Sequence, residues 1–154
     1  MELLMKKLQD CQARYVIIGG QAMLQQGMPR FTMDWDLFIP AKDPDNFARI
    51  NLALADELDM ELTPLNSKTG EGFVQTFQTS RGLIQFHQAV PGLPRFDLVE
   101  ARALKADYSG VAVPYLCLED LLSAKLAAAR PKDEEDIIFL KAKKQAMNNR
   151  PKKQ

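Results

Sequence analysis

Asp34 and Asp36 stand one residue apart at the head of the run Asp34-Trp-Asp-Leu-Phe-Ile39. Alternate residues of an extended strand share a face, so the two carboxylates point the same way, roughly 7 Å apart along the backbone. Carboxylates drawn to about 4 Å near a protein surface repel by an order of ~4 kcal/mol. A divalent cation relieves that repulsion, and a hard ion such as Mg2+ prefers carboxylate oxygens. Upstream, Gly19-Gly20 interrupts the β-forming run Tyr15-Val-Ile-Ile18. A Gly-Gly pair is by itself only a tight turn. Between a strand and a helix start, it turns backbone N–H groups toward one point, as phosphate requires. Arg30 and Thr32 precede the acids; Thr32 shares their face, and a guanidinium suits phosphate. A plainer reading stays open, in which Asp-Trp-Asp is a polar strand end with Trp35 and Leu37 in the core.

The elements that must position these residues alternate between strand and helix periodicities. Residues 3–12 read as a helix, 15–18 as a buried strand, 21–26 as a helix stopped by Gly27, and 33–39 as a second strand. Asp43 or Asp45 caps a helix reaching about Leu58, with Phe47, Ile50, Leu54 and Leu58 at helical spacing and Pro44 in its first turn. The polar, glycine-containing stretch Leu65–Gly72 reads as a loop. Residues 73–79 and 82–90 form a candidate hairpin turning at Ser80-Arg81-Gly82. Beyond the turn Pro91-Gly-Leu-Pro94, residues 95–105 read as a helix, 111–117 as a strand, and 119–130 as a helix. Pro131-Lys-Asp-Glu-Glu-Asp136 opens the last helix, with Asp133 and Asp136 as its caps. The pattern predicts an α/β (α+β) fold with a mixed sheet flanked by helices, because a hairpin is incompatible with a purely parallel sheet.

With 154 residues, 46% of them hydrophobic and 26% charged, the chain suits one domain with its own core. Lys+Arg and Asp+Glu number 20 each, which excludes a global field drawing it to nucleic acid or membrane. The division expected is a domain over 1–140 and a basic, solvated tail over 141–154. Cys11 and Cys117 have no metal-ligand spacing and read as reduced and packed. No signal-peptide core or bilayer-length apolar run is present, so a cytoplasmic setting is the expectation.

Taken together, Gly-Gly-x-Ala22, Gly27-x-Pro-Arg-x-Thr-x-Asp-x-Asp36 and Leu118–Asp136 resemble the minimal nucleotidyltransferases of the DNA polymerase beta superfamily. The resemblance is greatest to small bacterial members related to abortive-infection and toxin–antitoxin systems. It spans about Tyr15 to Leu140 and implies transfer of a nucleotide from an NTP to a hydroxyl of RNA, protein or a small molecule. Three carboxylates there hold two Mg2+ ions, which activate the attacking oxygen and stabilise the leaving one. Asp34 and Asp36 match the first two, and Gly19 and Gly20 the phosphate turn.

At the third carboxylate this chain departs from its relatives. Their Gly-x-Val-Asp-Leu-Leu strand corresponds to Gly82-Leu-Ile-Gln-Phe-His87, which puts Gln85 at the acidic position and His87 on the same face. Asp97, after Pro94, is the competing candidate. A neutral amide supplies neither the charge that holds a metal nor a proton acceptor; His87 is a substitute ligand or base. Lys125 falls on the apolar stripe of its helix, where a lysine stem packs and its ammonium snorkels to water. The resemblance instead implies that Lys125, Arg130 and Lys132 lie near the nucleotide.

Overall fold

The computed structural model describes residues 1–58, 60–63 and 74–150, and among these it forms six short strands and six α-helices. The loop expected at Leu65–Gly72, and residues 151–154, fall outside that range. In chain order the elements are α1 (Glu2–Asp10), β1 (Val16–Ile18), α2 (Gly19–Gln25), β2 (Trp35–Phe38), α3 (Pro44–Ala53), β3 (Val74–Thr79) and β4 (Gly82–His87). They continue with α4 (Phe96–Arg102), β5 (Leu104–Tyr108), β6 (Val111–Tyr115), α5 (Leu118–Ala128), a 3-10 turn Pro131–Asp133, and α6 (Glu134–Asn148). The strands make one mixed sheet in the order β3-β4-β2-β1-β6-β5. β1 runs antiparallel to β2, β2 parallel to β4, and β1 parallel to β6. The antiparallel hairpins β3–β4 and β5–β6 form the two edges. The mixed α/β fold expected from the sequence is therefore the fold observed.

Packing follows the apolar pattern. Leu4, Met5 and Leu8 of α1 are fully buried, as are Leu37 of β2 and Ile84 and Phe86 of β4. Trp35 also faces the core and meets Tyr108 edge-to-face at 5.4 Å. Asp43 caps α3 by accepting from the Asn46 N–H at 3.1 Å, with Pro44 in the first turn.

Several boundaries differ from the sequence expectation, each for a local reason. The helix expected to reach Lys105 stops at Arg102, because Ala103 turns extended (φ −62°, ψ 143°) and starts β5. That strand was hidden by its mixed polarity, and its register with β6 is fixed across Ser109-Gly110, both at positive φ. α3 ends at Ala53 rather than near Leu58. β2 begins at Trp35, so Asp34 lies just outside the strand instead of within it. The boundary drawn at residue 140 falls inside α6, which continues to Asn148. Lys143 fastens that end by donating to the Gln26 carbonyl (2.6 Å) and to Gln26 Oε1 (2.8 Å), while Gln26 Nε2 donates to the Leu116 carbonyl. Cys11 and Cys117 are both free and partly buried. Among the described residues, no helix is long and apolar enough to cross a membrane.

Candidate functional site

The acidic wall of the site is set by strand register. Asp36 pairs with Ile18 of β1 on one side and with Gln85 of β4 on the other. In-register neighbours on adjacent parallel strands present side chains to the same face, so Asp36 and Gln85 stand together. His87, two residues on, shares that face, and its Nε2 lies 2.8 Å from Asp36 Oδ1. The other carboxylate oxygen approaches Gly19 so closely that an added Cβ would sit 2.8 Å from Asp36 Oδ2. Gly19 also holds φ +67°, a left-handed conformation that costs a side chain about 1–2 kcal/mol. A Cβ on Gly20 would sit 3.0 Å from Thr32 Oγ1. The glycine pair is thus needed for close approach: β1 ends where the backbone must let Asp36 and Thr32 in. Thr32 Oγ1 donates to the Asp34 carbonyl at 3.4 Å, and Gln21 Nε2 reaches the same carbonyl at 3.5 Å.

The facing wall is basic and comes from α5, the 3-10 turn and α6. Lys125, only 6% exposed, donates to Asp133 Oδ1 at 3.0 Å and approaches Asp136 Oδ2 at 2.9 Å. Arg130 adds a second bond to Asp133 at 2.8 Å, and Arg30 pairs with Asp136 from across the cleft. Three cations therefore surround two buried carboxylates, leaving an excess positive charge. Burial pushes the Asp133 carboxyl upward, but its hydrogen bonds from Arg130 and Lys125 outweigh this and hold it below its ordinary value of 3.8. Of its three N–H donors Lys125 gives one to Asp133, and its ammonium also makes a close ion pair with Asp136. Gly92 docks the Pro91 turn onto α5: Ser123 Oγ donates to its carbonyl at 2.6 Å, and a Cβ there would lie 2.5 Å from the Ser123 carbonyl oxygen.

Between these walls runs an open cleft of about 610 Å3. Every site residue expected from the sequence lines it: Gly19, Gly20, Arg30, Thr32, Asp34, Asp36, Gln85, Lys125, Arg130 and Lys132. Gln85 lines this cleft in register with Asp36, whereas Asp97 does not reach it. Asp97 sits in the first turn of α4, pairs with Arg14 at 2.8 Å, and borders a different hollow. One expectation needs correction. Asp133 and Asp136 make no side-chain cap for α6; their carboxylates are taken by Lys125, Arg130 and Arg30. Arg30 lines the cleft while its Nη1 pairs with Asp136. Sequence reasoning also missed the walls supplied by Val90, Pro91 and Leu116. The eight-residue gap from Lys125 to Asp133, bent by Pro131, was the available signal for the buried cluster.

The donor set limits what metal chemistry fits. Among the described residues, no three His, Cys, Asp or Glu side chains converge as a metal cage. Asp34, Asp36 and the Gln85 amide oxygen suit one divalent cation that completes its shell with phosphate oxygens and water. In register with Asp36 stands the neutral amide of Gln85, not a third carboxylate.

Comparison with known proteins places this geometry in context. A family model described as a nucleotidyltransferase of unknown function (DUF6036) matches residues 1–145. No curated protein matches the sequence. The crystal structure of a protein from Thermotoga maritima, described provisionally as a nucleotidyltransferase, superposes with a TM-score of 0.64 at 14% identity, covering 96% of this chain and 89% of that one. An antigenic nucleotidyltransferase-like protein from Paracoccidioides brasiliensis gives 0.58 at 22% identity, covering 90% and 72%. At these identities the two structures speak to the fold.

Proposed function

The chain belongs to the nucleotidyltransferase family of unknown function matched over residues 1–145, and from that premise we propose that its cleft transfers a nucleotide from an NTP to a hydroxyl acceptor with the help of Mg2+. One observation carries the reading: carboxylates and cations occupy opposite walls of a single cleft wide enough for a nucleotide. A magnesium–triphosphate complex presents the matching pattern, a cation at one end and anionic oxygens beyond it.

In the reaction, the acceptor oxygen bonds to the α-phosphorus while the bond from that phosphorus to the bridging oxygen breaks. Pyrophosphate leaves, and the hydroxyl proton passes to the exposed Asp34 carboxylate. Bound Mg2+ would be held by Asp34 and Asp36 and would neutralise charge on the phosphates. Lys125, Arg130 and Lys132 line the same cleft and would face the phosphate tail. Gly19 and Gly20 let the chain approach without a side chain in the way.

A second reading, nucleotide binding without turnover, is supported by Gln85, which can neither hold a second ion nor accept a proton. Two measurements separate the possibilities. ATP with Mg2+ should raise the melting temperature of the wild type, and Asp34→Asn/Asp36→Asn should remove the metal-dependent part. Absence of any shift at millimolar ligand defeats both readings. Transfer of α-labelled nucleotide onto RNA, protein or small-molecule hydroxyls supports turnover; saturable binding without transfer supports the second reading.

A further inference from the structure

We propose that a second hollow beside the cleft, bounded by β2, the turn after β4 and the start of α4, receives the acceptor, and that this acceptor is an anionic molecule with an apolar body. The inference rests on the nucleotide-transfer reading of the cleft and goes beyond it by assigning the second substrate a place and a chemical class. The hollow measures about 660 Å3, within the size range of small-molecule sites. It adjoins the acids through the sheet. Phe38, which lines it, stands two residues beyond Asp36 on the same face of β2, about 7 Å along the strand. Phe38 is also in register with His87, which lines the cleft. Val90 lines both cavities; Pro91 follows it on the cleft side and Leu93 on the side of the hollow. In phosphoryl transfer the attacking and leaving oxygens lie roughly in line about the phosphorus. With the leaving phosphates on the basic wall, the acceptor must approach from another side, and the hollow reached along β2 offers that approach.

The lining selects the class of molecule. Its floor is apolar and fixed: Phe38 and Phe96 are each no more than 4% exposed and meet edge-to-face at 5.4 Å. The Arg14 guanidinium lies 5.1 Å from the Phe96 ring centroid. That cation is spent on Asp43, Asp97 and Glu100, at 2.9, 2.8 and 2.9 Å, so the two acids of the hollow, Asp43 and Asp97, are held by it. Lys42 and Arg95 differ. Both line the hollow, both are exposed, and neither has an ion-pair partner among the described residues. They are the cations left for an anionic group, since a charge-assisted contact to phosphate or carboxylate is what an unpaired lysine or arginine makes best. A molecule with its body on the phenylalanine floor, its anionic group at Lys42 and Arg95, and a hydroxyl turned past Val90 toward Asp36 satisfies each part of the lining. The hydroxyl oxygen would bond to the α-phosphorus as pyrophosphate leaves, and its proton would pass to Asp34.

The test uses para-(hydroxymethyl)phenyl phosphate, which carries a ring, a phosphate and a free hydroxyl. Benzyl alcohol, without the phosphate, and inorganic phosphate, without the ring, are the controls. In amide NMR spectra of the isotopically labelled full chain, the probe should saturably shift Phe38, Ala41, Leu93 and Phe96, whether or not α,β-methylene-ATP and Mg2+ are present. Each control should bind about tenfold more weakly or worse, and Lys42→Ala/Arg95→Ala should weaken the probe by about tenfold or more, with melting curves confirming that the variant folds. Labelled AMP should pass from ATP to the probe faster than to benzyl alcohol, and the double variant should lose that preference. Shifts confined to cleft residues such as Gly20 and Lys125, and abolished by the ATP analogue, overturn the proposal, because the phosphate then reads only the nucleotide site. An affinity unchanged in the double variant overturns it too, as does the lack of any transfer preference for the probe. Stabilisation of the protein by ATP and Mg2+ reports separately on the nucleotide reading, so its failure is distinguishable from failure of the acceptor site.

Discussion

Lys125→Met tests whether the basic wall is a preassembled structure or a set of loose cations. Lys125 and its partners Asp133 and Asp136 have side chains no more than 8% exposed, and the two contacts measure 3.0 and 2.9 Å. Stripping the partner from a buried ion pair usually costs about 3–5 kcal/mol, because a naked charge is left behind. Here neither acid is left naked: Arg130 still holds Asp133, and Arg30 still holds Asp136. The loss is one charge-assisted hydrogen bond, worth about 1.5–3 kcal/mol, together with one buried ion-pair contact, partly offset by packing of the methionine stem on the apolar face of α5. A net loss of about 2–3 kcal/mol follows. For a domain of this size that lowers Tm by about 4–12 °C. Urea unfolding monitored by circular dichroism gives the free energy directly. In a double-mutant cycle, Lys125→Met should couple to Asp136→Asn by more than about 1 kcal/mol. A loss below about 1 kcal/mol with no coupling would refute the account of Lys125 as the centre of a buried cluster.

Gly19→Ala should fold with a loss of about 1–2 kcal/mol from left-handed strain, yet lose metal-dependent stabilisation by nucleotide, because its Cβ would displace the Asp36 carboxylate; ligand-induced Tm shifts check this. Because the Asp133 carboxyl titrates below 3.8 in the folded protein, its contribution is full above that value and disappears as pH falls through the folded pKa. Urea titrations between pH 7 and 3 should therefore show an acid-side loss that Asp133→Asn flattens. Gln85→Asp should tighten divalent-cation binding about tenfold or more, since it adds a carboxylate in register with Asp36; calorimetric titration reads this, and unchanged affinity argues against Gln85 as the third-carboxylate position.

The physical limits of reading this chain are clearest at particular residues. β-forming runs made β1, β2 and the β3–β4 hairpin legible, and alternation put Trp35 and Leu37 in the core and Asp36 on the other face. β5 was not legible: Leu104-Lys-Ala-Asp-Tyr108 has little apolar contrast, and it is a strand because β6 pairs with it. The end of α6 looked like a solvated tail because its lysines carry no local partner in sequence; Gln26, over a hundred residues earlier, supplies one.

What the sequence determined by itself was the inventory of the site: two acids one residue apart, a glycine pair after a strand, and cations on either side of a proline that ends a helix. These are consequences of local spacing, and local spacing is written in the chain. What the tertiary structure decided was who touches whom. The sheet brought Gln85 and His87 to Asp36, turned Asp97 away to Arg14, and joined Lys125, Arg130 and Arg30 to two acids that looked like helix caps. Pairings of that kind depend on strand order and helix docking across long sequence separations, and periodicity along the chain carries no record of them.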